Sequence, residues 1–396
     1  IVLLKLGTGY NIGFNKKDIL EIKVLKKFKK DNKEIAEIKK SSEKPNIAMI
    51  ITGGTIASKV DYETGAVVVK FSSDEMINLF PELQGLVNIK SRFISQMSSD
   101  DMRFSHYNLI AKEIEKEIKE GVDGIILTQG TDTLHYTAAA LSFILDGLSV
   151  PVIIVGSQRS SDRGSSDAAM NLVCAVEFII QSNFSEVGVC MHKSTNDNIC
   201  WILPGLKCRK MHSSRRDAFR PVNSLPYAEI DFKTKKINII DNSFRKKEER
   251  DLKLCLFKEV KVGWMRSRPQ IYADELKIYS SYDGLLLEGT GLGHMPIGSH
   301  KDNQEFFESL KKLARKIPVI MSTQTIYGRV DMNVYSPGRT LMDIGILGNY
   351  SDMTPETAYI KLAWLLSNYP KKVKEMFSEN LRGELSSRLN PKFEIF

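Results

Sequence analysis

The chain has 396 residues, 42% of them apolar and 26% charged. That is room for two or three domains with a sizeable core, and it excludes disorder, collagen or coiled coil for the bulk of the chain. No apolar run approaches the ~20 residues that cross a bilayer, so no membrane association is expected. The five cysteines (Cys174, Cys190, Cys200, Cys208, Cys255) include no Cys-x-x-Cys pair. This fits a reducing cytoplasm without a disulfide framework or zinc cluster. The chain begins at Ile1 without a Met or a signal-peptide pattern, and a cytoplasmic protein is expected. The net charge of +8 is unevenly placed. Residues 1–45 hold twelve lysines against six acidic residues, and Lys207 to Arg220 hold six Lys/Arg against Asp217. Each cluster reads either as a phosphate-facing patch or, more plainly, as a solvated basic face.

In chain order, short strands are expected at 2–6 and, from the alternation of Ile19, Leu20, Ile22 and Val24, at 18–25. Two strands do not make a stable domain, so they read as the tail of a small β module. A lysine-rich connector follows. The apolar run 46–51 reads as a strand ending in Thr52-Gly53-Gly54-Thr55. A second strand at 122–127 ends in Thr128-Gln129-Gly130-Thr131-Asp132-Thr133, with a helix over 134–145. Strands at 150–155 and 187–191 flank a helix over 167–181. A hairpin is expected over 228–239 and a charged loop over 245–250. Strands at 284–288 and 318–321 and helices over 304–315 and 355–366 complete a second α/β unit. Buried strands alternating with helices indicate parallel sheets with crossover helices.

In such sheets, sites form at the C-terminal ends of strands. Two Gly-Thr segments fall there, Thr52-Gly53-Gly54-Thr55 and Gly130-Thr131-Asp132-Thr133. Glycines let the backbone turn sharply and approach a ligand. A single such segment reads as an ordinary helix cap; two in one domain favour chemistry. A Thr hydroxyl attacks a carbonyl only when a neighbour takes its proton. Thr55, on the Gly-Thr loop, is the expected attacking group, and Thr131, Asp132 and Lys210 the expected relay. A lysine acts as a base only in its neutral form, which burial and nearby cations favour; Arg209, Arg215 and Arg216 would serve if turned inward. Backbone N–H groups near Thr131 would hold an oxyanion.

This pair of segments resembles the L-asparaginase/glutaminase superfamily of amidohydrolases. Three further stretches narrow the resemblance: Gly9-Tyr10-Asn11-Ile12-Gly13, Arg209-Lys210-Met211-His212-Ser213-Ser214-Arg215-Arg216-Asp217-Ala218-Phe219, and Glu288-Gly289-Thr290-Gly291-Leu292-Gly293-His294. With Gly328-Arg329-Val330 and Asn333-Val334-Tyr335-Ser336 they resemble the D-type subunit family of archaeal glutamyl-tRNA(Gln) amidotransferases, over nearly the whole chain. The resemblance implies an asparaginase-like two-domain α/β fold with parallel sheets, preceded by a partial β module. The implied organisation is that module over 1–30, a linker over 31–45, α/β domains over 46–244 and 257–396, and a linker over 245–256. It implies release of ammonia from glutamine or asparagine, with Thr55, Thr131, Asp132 and Lys210 catalytic. Ser99, Asp100, Gly54 and Gly130 would line the substrate site, and Asp132 would meet the substrate ammonium. It also implies a heterotetramer, in which a homodimer of this chain is flanked by two copies of the amidotransferase E-type subunit. That partner would use ATP and Mg²⁺ and make most of the contact with Glu-tRNA(Gln). No cofactor is expected in this chain.

Tyr62, on the loop 61–67 after the first Thr, is read either as a lid residue or as a surface aromatic. Gly7-Thr8-Gly9 with Gly13 is not a dinucleotide fingerprint, because the third Gly is misplaced and no long helix follows. Gly289 to Gly293 read as a tight turn rather than a ligand loop, and the six histidines show no metal-ligand spacing. Two other functions stand beside the amidotransferase reading: a free-standing cytoplasmic asparaginase, and a non-catalytic scaffold for a partner or tRNA.

Overall fold

The computed structural model describes residues 2–5, 11–23, 41–60, 67–69, 80–161 and 163–389. Gly7-Thr8-Gly9, Tyr10, the lysine-rich stretch 24–40 and the loop bearing Tyr62 lie outside the described residues. At the start, β1 (Val2–Lys5) and β2 (Asn11–Phe14) pair antiparallel. The second strand therefore precedes the one expected at 18–25. Asn15 accepts from Lys17 N–H at 3.3 Å and starts a 3-10 turn over Lys16–Asp18. Residues 19–23 form no strand, and Leu20 and Ile22 are exposed. Alternation makes a strand only where one of its faces finds something to pack on.

The next elements are β3 (Asn46–Gly53), the small hairpin β4 (Ser58–Val60) and β5 (Val67–Val69), α1 (Pro81–Leu86), β6 (Asn88–Met97) and α2 (Phe104–Lys119). Then come β7 (Gly124–Thr128), α3 (Leu134–Ile144), β8 (Leu145–Asp146), β9 (Val152–Val155), α4 (Ala168–Gln181) and β10 (Val187–His192). They are followed by β11 (Ile199–Pro204), β12 (Cys208–Lys210), β13 (Phe219–Pro221), β14 (Ala228–Asp231) and β15 (Ile237–Ile239). The large sheet runs β15-β14-β11-β10-β9-β7-β3-β6. Its β6-β3-β7-β9-β10 part is parallel, as expected; β11, β14 and β15 join antiparallel. The connection 193–198 explains the change of sense, because a parallel crossover needs about a dozen residues or more.

The central parallel strands β3, β7 and β9 are apolar at nearly every position because both sheet faces are covered. Ala48, Ile50, Ile125, Leu127, Val152 and Ile154 enter one core, with α2 and α3. Ile47, Met49, Ile51, Ile126, Ile153 and Val155 enter the other, with α4. This is the period-2 alternation of a strand, with an apolar layer on each side.

The charged stretch 245–256 is anchored rather than loose. Its β16 (Lys253–Leu254) pairs antiparallel with β8, and Cys255 N–H donates to Ile144 O at 2.9 Å. Beyond it, β17 (Val262–Arg266), β18 (Gly284–Gly289) and β19 (Val319–Thr323) form a parallel sheet. The helix α5 (Lys301–Ala314) covers one face through Phe306 and Leu310. After α6 (Ser336–Asp343), α7 (Pro355–Asn368) covers the other. Its Ile360, Leu362, Trp364 and Leu365 join the same core as α3, so one helix serves both sheets. That double contact explains why α7 is buried almost all round. Among the described residues, no helix is long and apolar enough to cross a membrane.

Candidate active site

Adjacent strands β3 and β7 place Ile51 opposite Thr128. From β3 the chain crosses to β6 on one side and returns to β7 on the other. That reversal opens a crevice at the C-terminal strand ends, where open α/β sheets bind ligands. Both Gly-Thr segments emerge there. Thr52 Oγ1 donates to Thr128 O at 3.0 Å and ties the strand ends together. Gly54 has φ +78°, and a Cβ on it would lie 2.2 Å from Gly130 N. The two loops thus meet backbone to backbone, which only glycine permits.

Ser99 opens the 3-10 turn Ser99–Asp101 after β6 and is buried. Its Oγ accepts from Asp132 N–H at 3.2 Å, and its carbonyl accepts from Thr133 Oγ1. One N–H expected to be free for an oxyanion is therefore engaged. Asp100 is exposed; its carboxylate accepts from Ser98 Oγ, which holds it below the usual carboxylate range. Among the described residues, no hydrogen bond joins Asp100 to Thr131, Asp132 or Lys210.

Lys210 comes from another part of the chain. It ends β12, opposite Phe219 of β13. Its Nζ lies 2.9 Å from Thr131 Oγ1 and 2.7 Å from Asp132 Oδ1. The lysine side chain is 9% exposed and that of Asp132 is 67% exposed. A shielded amine thus touches a hydroxyl, while the carboxylate beside them remains accessible to a ligand. Thr55 heads the turn Thr55–Ala57 on the adjoining loop and is half-buried. Among the described residues, no hydrogen bond links it to Thr131, Asp132 or Lys210. The fold therefore joins Thr131, Asp132, Lys210, Ser99, Gly54 and Gly130 directly, and sets Thr55 on the neighbouring loop.

The basic residues of 207–220 are matched by carboxylates, and of them Arg215 is the exposed one. Lys207 Nζ lies 2.7 Å from Asp352 Oδ2, and Arg209 Nε lies 2.7 Å from Glu356 Oε1. Arg215 and Arg220 both hold the Asp217 carboxylate, and Arg216 pairs with Asp197. The three arginines expected to lend positive field to Lys210 are thus each matched by a carboxylate. The cluster is an ion-paired network, and charge counting alone does not reveal the partners. Gly289 to Gly293 form the expected tight turn, closed by Thr290 N–H to His294 O at 3.0 Å.

His135 and Glu356 escape the sequence reading. His135 sits in the first turn of α3, and its Nε2 is 4.0 Å from Glu356 Oε1. The Thr354-Pro355-Glu356 run is a legible helix start, with a capping Thr and Pro at the first position. Its pairing with Arg209, 147 residues away, is not legible. Burial, then the Arg209 and Lys210 cations, push the His135 pKa from 6.5 down to about 3. The folded state therefore refuses a proton that the unfolded chain accepts below about pH 6.5. Stability from this group is complete above about 6.5 and falls as pH drops toward about 3, by up to about 1.4 kcal/mol per unit. His135→Asn should flatten that slope in denaturant unfolding at stepped pH. An unchanged slope would assign the effect to another group.

The family model for the N-terminal asparaginase domain matches residues 46–245, and that for the glutaminase/asparaginase C-terminal domain matches 261–377. The glutamyl-tRNA(Gln) amidotransferase D-type subunit of Pyrococcus furiosus is 42% identical, over 98% of this chain and 88% of its own. The protein of the same name from Methanothermobacter thermautotrophicus is 40% identical, over 98% and 88%. The chain belongs to the amidotransferase D-type branch of the asparaginase family. The solved thermostable L-asparaginase of Thermococcus kodakarensis superposes with TM-score 0.76 at 28% identity, covering 87% of this chain and 100% of its own. L-asparaginase I of Vibrio cholerae gives 0.74 at 27%, covering 87% and 99%. The asparaginases share the two-domain body, and the D-type amidotransferase proteins match more of this asparaginase-family chain.

Proposed function

We infer that this chain is the glutaminase component of a tRNA-dependent amidotransferase. It hydrolyses the side-chain amide of glutamine, or of asparagine, and the ammonia converts Glu-tRNA(Gln) to Gln-tRNA(Gln) in the same complex. The observation that carries the chemistry is the Lys210 Nζ contact with both Thr131 Oγ1 and Asp132 Oδ1, at the end of β7.

The amide would lie between the two Gly-Thr loops. Thr55 Oγ attacks the amide carbon, and its proton passes through Thr131 to Lys210. The negative oxygen is held by backbone N–H groups of the two loops. As the C–N bond breaks, the nitrogen takes the proton back and leaves as ammonia. Water then cleaves the glutamyl ester on Thr55, restoring the hydroxyl and releasing glutamate. Asp132 binds the substrate's α-ammonium and stabilises the cation that forms on Lys210. Ser99 holds the loop through Asp132 N–H and borders the place of the substrate carboxylate.

The chain works as a homodimer within a heterotetramer completed by the E-type subunit. That partner binds and uses ATP and Mg²⁺ and makes most of the tRNA contact; this chain needs no cofactor. The test is ammonia release from glutamine by the chain alone, then with the E-type partner and Glu-tRNA(Gln). A rate that rises with partner and tRNA supports a coupled glutaminase. Fast turnover of asparagine, indifferent to both, would instead make it a free-standing asparaginase.

A further inference from the structure

The lysine at the centre of the site is carried on a very short strand. Three residues of β12 pair with three of β13, too little to fix a reactive amine by themselves. Val222 N–H to Lys207 O and Met211 N–H to Ala218 O extend the pairing at either end, and further ties come from the C-terminal domain. Thr357 Oγ1 donates to Leu206 O at 3.0 Å. Lys207 pairs with Asp352 at 2.7 Å, with side chains 4% and 0% exposed. Arg209 Nε donates to Glu356 Oε1 at 2.7 Å. Residues 206–209 are thus tied at three points to 352–357, the segment that leads into α7 and its first turn.

Arg209 and Lys210 are successive strand residues, so their side chains leave on opposite faces. Glu356 grips the strand from one face while Lys210 reaches Thr131 and Asp132 from the other. Glu356 is well suited to the task. Its carboxylate lies in the first turn of α7, where the helix dipole favours negative charge, and Thr354 caps that turn by accepting from Thr357 N–H at 3.2 Å. His135, another polar group beside it, is held neutral by burial, and Arg209 is the cation that pairs with it.

We propose that Glu356, with Thr357 and Asp352, is a positioning device through which the C-terminal domain sets the place of Lys210. The lysine belongs to one domain by sequence and is aligned by the other. Because α7 also packs on β18, a shift of the C-terminal sheet is transmitted to the Lys210–Thr131 contact. Displacement of a reacting group by about 1 Å is enough to cost about a hundredfold in rate.

The proposal rests on Lys210 acting in amide hydrolysis, and the experiment separates the two. Ammonia release is measured well below the unfolding temperature for wild type, Lys210→Met, Glu356→Gln, Arg209→Gln, the Glu356→Gln/Arg209→Gln double variant and Thr357→Val. The expected result is a fall in kcat of at least about tenfold for Glu356→Gln, with KM for glutamine within about twofold. Arg209→Gln should match it, and the double variant should be no worse than either single one, because both remove the same tie. Thr357→Val, a milder change that keeps every charge, should lower kcat by about threefold. If Lys210→Met is inactive while Glu356→Gln and Thr357→Val lose thermal stability but keep wild-type kcat, the positioning role is overturned and the hydrolase reading stands. Additive losses in the double variant overturn it as well. Wild-type turnover by Lys210→Met would remove the hydrolase reading itself.

Discussion

Lys210→Met should abolish nearly all ammonia release, by about 10²–10⁴-fold in kcat, the usual range for a lost general base. The amine is shielded from water and lies 2.9 Å from Thr131 Oγ1. Arg209, Arg215 and Arg216 do not replace it, since each holds a carboxylate. Met preserves most of the side-chain volume and stem packing, so the fold should survive. Thr131→Ala should cost a similar factor, because it removes the link between Lys210 and the reacting group. Thr55→Ala should abolish the glutamyl ester as well as turnover, whereas Thr131→Ala only slows its formation. Mass spectrometry of enzyme quenched during turnover separates the two threonines. An ester on Thr131 in the wild type would exchange their roles. Turnover by Lys210→Met within about tenfold of wild type would take the lysine out of the mechanism.

Glu384→Gln should be the most destabilising of the substitutions considered, at about 3–5 kcal/mol. Lys361 of α7 and Glu384 of the C-terminal segment lie 2.6 Å apart, with both side chains fully buried. Burial lowers the Lys361 pKa, and the Glu384 carboxylate acts against that shift. The same carboxylate accepts from Leu381 N–H at 3.0 Å and from Arg382 N–H at 2.7 Å. An amide there leaves a buried ammonium without its counter-charge. Replacing both partners, as Lys361→Met with Glu384→Leu, removes the stranded charge and should recover much of the loss. Denaturant unfolding of the two single variants and the double reads this directly. A double variant as unstable as the sum of the singles would mean that the pair is not the source. Since α7 also carries Glu356, partial loosening of this helix should lower activity before the protein unfolds.

The motifs that mark the site are legible because they are local. Gly54 and Gly130 stand where two loops touch, and a Cβ would collide there, so the need for glycine is written at those positions. The strands β3, β7 and β9 are legible because both of their faces are buried, which produces unbroken apolar runs. The edge strand β6 is not, because nearly all of its residues are only half-buried and its composition is mixed. The helix α2 also escapes the sequence reading, although Tyr107, Ile110, Ala111 and Ile114 have helical spacing. The apolar alternation at 18–25 misleads for the opposite reason: the pattern is present, yet 19–23 form no strand and Leu20 and Ile22 stay exposed.

By itself the sequence determined the two Gly-Thr loops, the parallel α/β frame that aims them at one crevice, and the family to which the chain belongs. These depend on short-range periodicity and on residue types that a turn requires. Only the tertiary structure decided which charges meet. The cluster 207–220 reads as a basic surface in one dimension, yet Lys207, Arg209 and Arg216 turn to Asp352, Glu356 and Asp197, while Arg215 stays exposed beside Asp217. Lys210 finds Thr131 across 79 residues, and Arg209 finds Glu356 across 147. Coulomb attraction and desolvation depend on distance in space and on burial, and neither is a property of neighbours along the chain.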